Sequence, residues 1–148
     1  MEARLLNDNL TAQIKHVFNQ LVEPVEVLFF GSKEACESCD DTLQLVGELT
    51  ELDEKLTLSV YDVQADCDVA QRYHVDKTPG LVIAGRDGDR LIDYGIRYAG
   101  VPAGHEFSSL VHALLIVSNR DSGLSDETRT FLKGITKPVL LQVFVTPT

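Results

Sequence analysis

The chain has 148 residues, 44% hydrophobic and 24% charged, with a formal net charge of -10. That length holds one domain with its own core, or one domain and part of another. The acidity excludes a nucleic-acid backbone or an anionic membrane as partner, since both need clustered Lys and Arg.

The start MEARLLNDNL is charged and polar with no signal-peptide core, and no apolar run approaches the length of a membrane span, so the chain is expected in the cytoplasm. Leu5, Leu6, Leu10, Ile14, Val17, Phe18 and Leu21 recur at helical spacing, and Pro24 ends the helix they predict. Val25 to Phe30 is a short apolar strand closed by Gly31. From Cys36 onward, Leu43, Val46, Leu49 and Leu52 mark an amphipathic helix, and Leu56, Leu58 and Val60 alternate as a strand. Strand, helix and strand in that order predict a parallel pair with a right-handed crossover. Asp66 is a candidate N-cap for a short helix that places Val69, Ala70 and Tyr73 on one face. A strand from Leu81 to Ala84 follows Pro79, and GRDGD turns it into a hairpin with Leu91 to Tyr94, which makes the sheet mixed. Phe107, Leu110, Val111, Leu114, Leu115 and Val117 form a strongly apolar helix, with Glu106 suited to its N-terminus. One α/β unit is then complete by about Ser118, and residues 119–124 read as a linker.

Residues 125–148 resemble the beginning of the chain. Leu124 falls on Leu10, Ser125 on Thr11, Arg129 on Lys15, Leu132 on Phe18, Ile135 on Leu21, Pro138 on Pro24, Val139 on Val25 and Phe144 on Phe30. Few of these are identities, and any helix followed by a strand aligns in a similar way. Read as a repeat, the segment is the helix and first strand of a second unit, and the counterpart of Cys36 falls just past Thr148. An unpaired apolar strand is a liability in water. The strand from Lys137 to Thr148 is therefore expected to dock on the first unit or on a neighbouring chain, giving a homo-oligomer in the second case.

The chemistry is concentrated in KEACESCDD. Two cysteines three residues apart at the start of a helix lie on one face, within bridging reach. The free N–H groups of that helix end favour a thiolate on the first. Cys36 is thus the expected nucleophile and Cys39 the resolving thiol. Glu34, Glu37, Asp40 and Asp41 oppose the thiolate, with only Lys33 to offset them. A zinc clip would need four ligands, and Cys67, His16, His74, His105 and His112 show no familiar ligand spacing, so no metal is expected. Two small core thiols would sit poorly in so polar a stretch. Cys67, between two acids at a helix start, reads as a non-catalytic thiol, with a regulatory thiol as the alternative. His112, among apolar positions, reads as a satisfied helical histidine. Tyr94 and Tyr98 are candidates for the edge of the active surface.

A strand, Cys-x-x-Cys at a helix start, a second strand, the phrase Tyr73-x-Val75-x-x-Thr78-Pro79 and a hairpin together resemble the thioredoxin superfamily. The resemblance implies a central mixed sheet flanked by helices, here with an extra N-terminal helix. It also implies a cis Pro79 beside the cysteines, with Thr78 and Pro79 binding an extended substrate. The extra helix, the segment AGVPAGHEFSSLV and the apparent repeat resemble the two-unit glutaredoxin-like protein disulfide oxidoreductases. They are also similar to the N-terminal region of the alkyl hydroperoxide reductase flavoprotein subunit, whose first unit usually lacks the cysteine pair. The implied activity is reversible dithiol–disulfide exchange with protein disulfides, without a cofactor, fed by a thioredoxin-reductase-like electron donor. The alternative is a docking or electron-relay module whose main redox site lies beyond residue 148. Ala35 and Glu37-Ser38 depart from the aromatic, Gly-Pro or Pro-Tyr usual around such pairs. Glu26 is read as an exposed residue at a strand start rather than as a carboxylate serving the resolving thiol.

Overall fold

The computed structural model describes residues 3–146. The first helix, α1 (Asp8–Phe18), is shorter than its apolar pattern predicts. Asn7 caps it by accepting the Leu10 N–H at 2.8 Å, which sets the helix start after Leu5 and Leu6. Those two residues form a non-helical lead whose N–H groups donate to the Glu48 carboxylate at 2.9 and 2.8 Å. Leu6, Ile14, Phe18 and Leu21 nevertheless all enter the core.

Next come β1 (Val25–Gly31), α2 (Cys39–Thr50), β2 (Leu56–Asp62), α3 (Cys67–Arg72), β3 (Gly80–Asp87), β4 (Arg90–Ala99) and α4 (His105–Asn119). The sheet order is β2-β1-β3-β4, with β1 and β2 parallel and the other two pairs antiparallel, so the mixed sheet is as expected. β1 lies inside the sheet and is buried along its whole length. Its unbroken apolar run reflects cover on both faces. Val25, Val27 and Phe29 pack with side chains of α1, α2 and α4, whereas Leu28 and Phe30 pack with Ala70, Val69 and Tyr73 on the α3 side. The hairpin closes on Gly88-Asp89, between the paired Asp87 and Arg90. Ser118, fully buried near the end of α4, accepts the N–H groups of Val22 and Glu23 at 2.8 and 3.1 Å and donates to the Glu23 carbonyl at 2.7 Å. It thereby fixes the chain just before β1.

Past the linker, Ser125 caps α5 (Asp126–Lys133), and no residue of that helix is buried. The expected strand after Lys137 does not form: residues 138–146 have no regular structure and are exposed, with Leu141 at 86% and Phe144 at 89%. Nor does this segment dock on the first unit. The sheet faces are already covered by helices, and a segment with no ladder partner cannot satisfy its backbone as a strand. Pro147 and Thr148, also part of the expected strand, lie outside the described residues.

Candidate active site

β1 delivers the chain to Gly31, a loop follows, and α2 opens with Cys39. Cys36 and Cys39 are joined in a disulfide with Cα atoms 5.4 Å apart. The helix begins at Cys39 rather than Cys36, which sits in the turn before it, and Ser38 provides no side-chain cap. The cysteines are therefore unequal: Cys39 is 6% exposed, and Cys36 is only partly buried. Thr42, with no exposed surface, holds the helix start by donating its hydroxyl to the Ser38 carbonyl at 2.7 Å. Gly31 leaves the necessary room, since a Cβ there would lie 2.9 Å from the Phe29 ring and 3.4 Å from the Cys39 sulfur.

The loop before Cys36 is tied to the end of β2. Val63 N–H donates to the Gly31 carbonyl at 3.0 Å, and the Ser32 hydroxyl donates to Gln64 Oε1 at 3.1 Å. Asp62 accepts the N–H groups of Ala65, Gln64 and Lys33, the first of these contributing most to holding its carboxyl below the ordinary range. Glu34, Glu37, Asp40 and Asp41 are exposed around the disulfide, and among the described residues none of them is in an ion pair.

The second part of the site comes from the chain between α3 and β3. Gly80 pairs with Phe30 at the end of β1, so Thr78 and Pro79 emerge at the same end of the sheet as the loop to Cys36. The Thr78–Pro79 peptide bond is cis; Pro79 is buried and Thr78 partly so. The Pro79 carbonyl accepts the Gly100 N–H at 2.9 Å, which brings the 100–104 loop to this end as well. A Cβ at Gly80 would come within 2.8 Å of the Lys77 carbonyl, so only glycine allows so close a return of the chain.

Glu26 is not exposed as expected but 3% accessible. It points to the α3 face with Leu28 and Phe30, roughly five residues or ~16 Å along β1 from Gly31, which places it away from Cys39. Burial opposes its ionisation, but the hydroxyls of Ser59 and Thr57 and the Arg86 guanidinium outweigh that, leaving the carboxyl below its ordinary 4.5. The Arg86 contact is 2.6 Å. Asp66 stands at the N-cap position of α3 as expected, but its carboxylate bonds no helix N–H and accepts the Asp62 N–H at 2.9 Å instead. Tyr98 lies opposite Leu81 near the Pro79 end and meets the Ser109 hydroxyl at 3.0 Å, whereas Tyr94 stands by Gly85 towards the hairpin end. Cys67 is exposed and unbonded, and His112 is exposed. Among the described residues no group of three or more His, Cys, Asp and Glu side chains could hold a metal ion, and no helix is long and apolar enough to cross a membrane.

No family model matches the chain. An alkyl hydroperoxide reductase component from Staphylococcus epidermidis is 29% identical over 141 residues, which are 94% of this chain and 25% of that protein. A protein disulfide oxidoreductase from Aeropyrum pernix is 30% identical with a TM-score of 0.75, matching 86% of this chain to 54% of that one. The N-terminal domain of the alkylhydroperoxide reductase AhpF from Enterococcus faecalis is 25% identical with a TM-score of 0.74, over 84% of this chain and 58% of that one. The chain has a thioredoxin-like fold. This thioredoxin-like chain spans about a quarter of the length of the curated relatives it matches. From α1 to α4 its order of helices and strands is the one its residue pattern predicts, with the Cys36–Cys39 disulfide at the opening of α2. Gly31 was not singled out as a site residue by the sequence; it could have been, because a glycine ending a buried strand just before a cysteine pair signals close packing.

Proposed function

We propose that the chain is a thiol–disulfide oxidoreductase unit, glutaredoxin-like and cytoplasmic, acting on protein disulfides in cell redox homeostasis. The observation that carries this is the Cys36–Cys39 disulfide at the start of α2, with Cys36 partly exposed and Cys39 buried. In the reducing direction the Cys36 thiolate attacks one sulfur of a substrate disulfide, and the other substrate sulfur leaves as a thiolate that takes a proton. Cys39, losing its own proton, then attacks Cys36 and releases the second substrate thiol. The substrate gains two electrons and two protons; the chain loses them and is left as the disulfide. A thioredoxin-reductase-like electron donor restores the dithiol, and no cofactor takes part in the exchange. Thr78 and Pro79 bind the substrate as an extended segment against the backbone of Thr78. Residues 125–148 belong to the opening of a second thioredoxin-like unit, and their exposed apolar side chains offer a surface for pairing between copies of the chain.

Trapping tests the roles. A Cys39→Ser chain is expected to hold substrates as mixed disulfides through Cys36, and Cys36→Ser to hold none; equal trapping by both variants would sink the assignment. A second reading is favoured by the chain covering only a quarter of its reductase relatives. In it, the unit docks or relays electrons for a larger reductase whose main redox site lies beyond residue 148. Insulin reduction separates the two readings: turnover by this chain alone supports the first, and turnover confined to a longer form supports the second.

A further inference from the structure

We propose that Arg97 is a positioning residue for the substrate-binding segment, locking residues 74–79 to β4 with the help of Asp93; this rests on the oxidoreductase reading above. The segment begins at the end of α3 with a two-bond cap: Val75 N–H donates to Ala70 at 2.9 Å and His74 N–H to Gln71 at 3.1 Å, with His74 in the left-handed region at φ 55°. Tyr73, the C-cap, has its carbonyl left over by this pattern. Arg97 Nε donates to that carbonyl at 2.8 Å, which also puts a positive charge at the negative end of the helix. The guanidinium lies 5.9 Å from the centroid of the Tyr73 ring, and Tyr73 in turn packs on Phe30.

Asp93 fixes the other edge of the guanidinium with a fork of 2.8 and 2.7 Å. In a regular strand, residues four apart are separated by roughly 13 Å and could not meet in this way. Here the register slips: Ile83 faces Ile96 but Ala84 faces Asp93, so Tyr94 and Gly95 are extruded, with Gly95 at φ 81°. The bulge brings Asp93 next to Arg97 on the face towards α3. Thus the entry to the segment is pinned by Arg97, and its exit is confined by the tight return over Gly80. A segment held at both ends presents the Thr78 backbone to a substrate without a prior ordering step.

The test uses two probes with the reduced chain: a small aromatic disulfide, and a short extended peptide joined to a chromogenic thiol by a mixed disulfide. For Arg97→Gln, KM for the peptide is expected to rise about 10-fold. Its kcat, the potential of the cysteine pair and the rate with the small disulfide are expected to stay unchanged. Asp93→Asn leaves the Tyr73 bond in place and should give a smaller rise in the same direction, which keeps the test open if Arg97→Gln does not fold. Unchanged KM in both variants, or equal losses with the two probes, would overturn the proposal. Amide exchange at Val75 gives a readout independent of turnover, so failure of the oxidoreductase reading is distinguishable. The rate should rise about 10-fold in Arg97→Gln, and an unchanged rate overturns the clamp even where neither chain reduces a disulfide.

Discussion

Glu37 lies between the two cysteines, exposed and, among the described residues, without an ion-pair partner. In water a single neighbouring charge is a small perturbation, but it acts on the group whose ionisation sets the exchange rate. Glu37→Gln in the reduced chain is expected to raise the alkylation rate of Cys36 at pH 7 about threefold. High salt should narrow the gap between the two chains, and an unchanged rate at low salt would show that the carboxylate does not reach the thiol. The cysteine pair was legible in the sequence because its chemistry depends on a local spacing. The Arg97–Asp93 pair was not, because it exists only where a bulge shortens the path between two strand residues.

Glu26 shows the same limit at the level of an element. Its place at the start of an apolar strand was compatible with exposure, and the partners that make burial tolerable come from β2 and β3: Thr57, Ser59 and Arg86. A carboxyl held below its ordinary value stabilises the fold above the unfolded-state pKa, and that contribution is lost as pH falls through the lower folded value. Stability measured by urea should therefore drop on acidification below about pH 4 through this group. Glu26→Gln should lose about 2 kcal/mol at neutral pH by leaving Arg86 without its anion, and should flatten the acid dependence. An acid slope identical to that of the parent chain would remove Glu26 from the account. Helix ends followed the same logic. Asn7, recognised only by its bond to Leu10, and the turn before Cys39 each moved a predicted boundary by a few residues, because apolar periodicity marks a face and caps mark an end.

Over the whole molecule, the core is complete by Ser118, and nothing in α5 or residues 138–146 is buried. Deleting residues 125–148 is expected to change unfolding stability by less than about 0.5 kcal/mol. The deletion should also lower the tendency to self-associate, since Leu140, Leu141, Val143 and Phe144 are more than three-quarters exposed. A loss of several kcal/mol would mean that the segment packs on the unit after all. As far as α4, the order of helices and strands, the mixed sheet and the redox pair were set by the sequence alone, because period, turn residues and cysteine spacing are local properties. Three features required the tertiary structure: that the register brings Thr78-Pro79 to the same end of the sheet as the loop to Cys36, that Glu26 is buried against Arg86, and that the apolar C-terminal segment finds no strand to pair with. Each depends on which distant residue arrives next to it, and that is decided only when the sheet assembles.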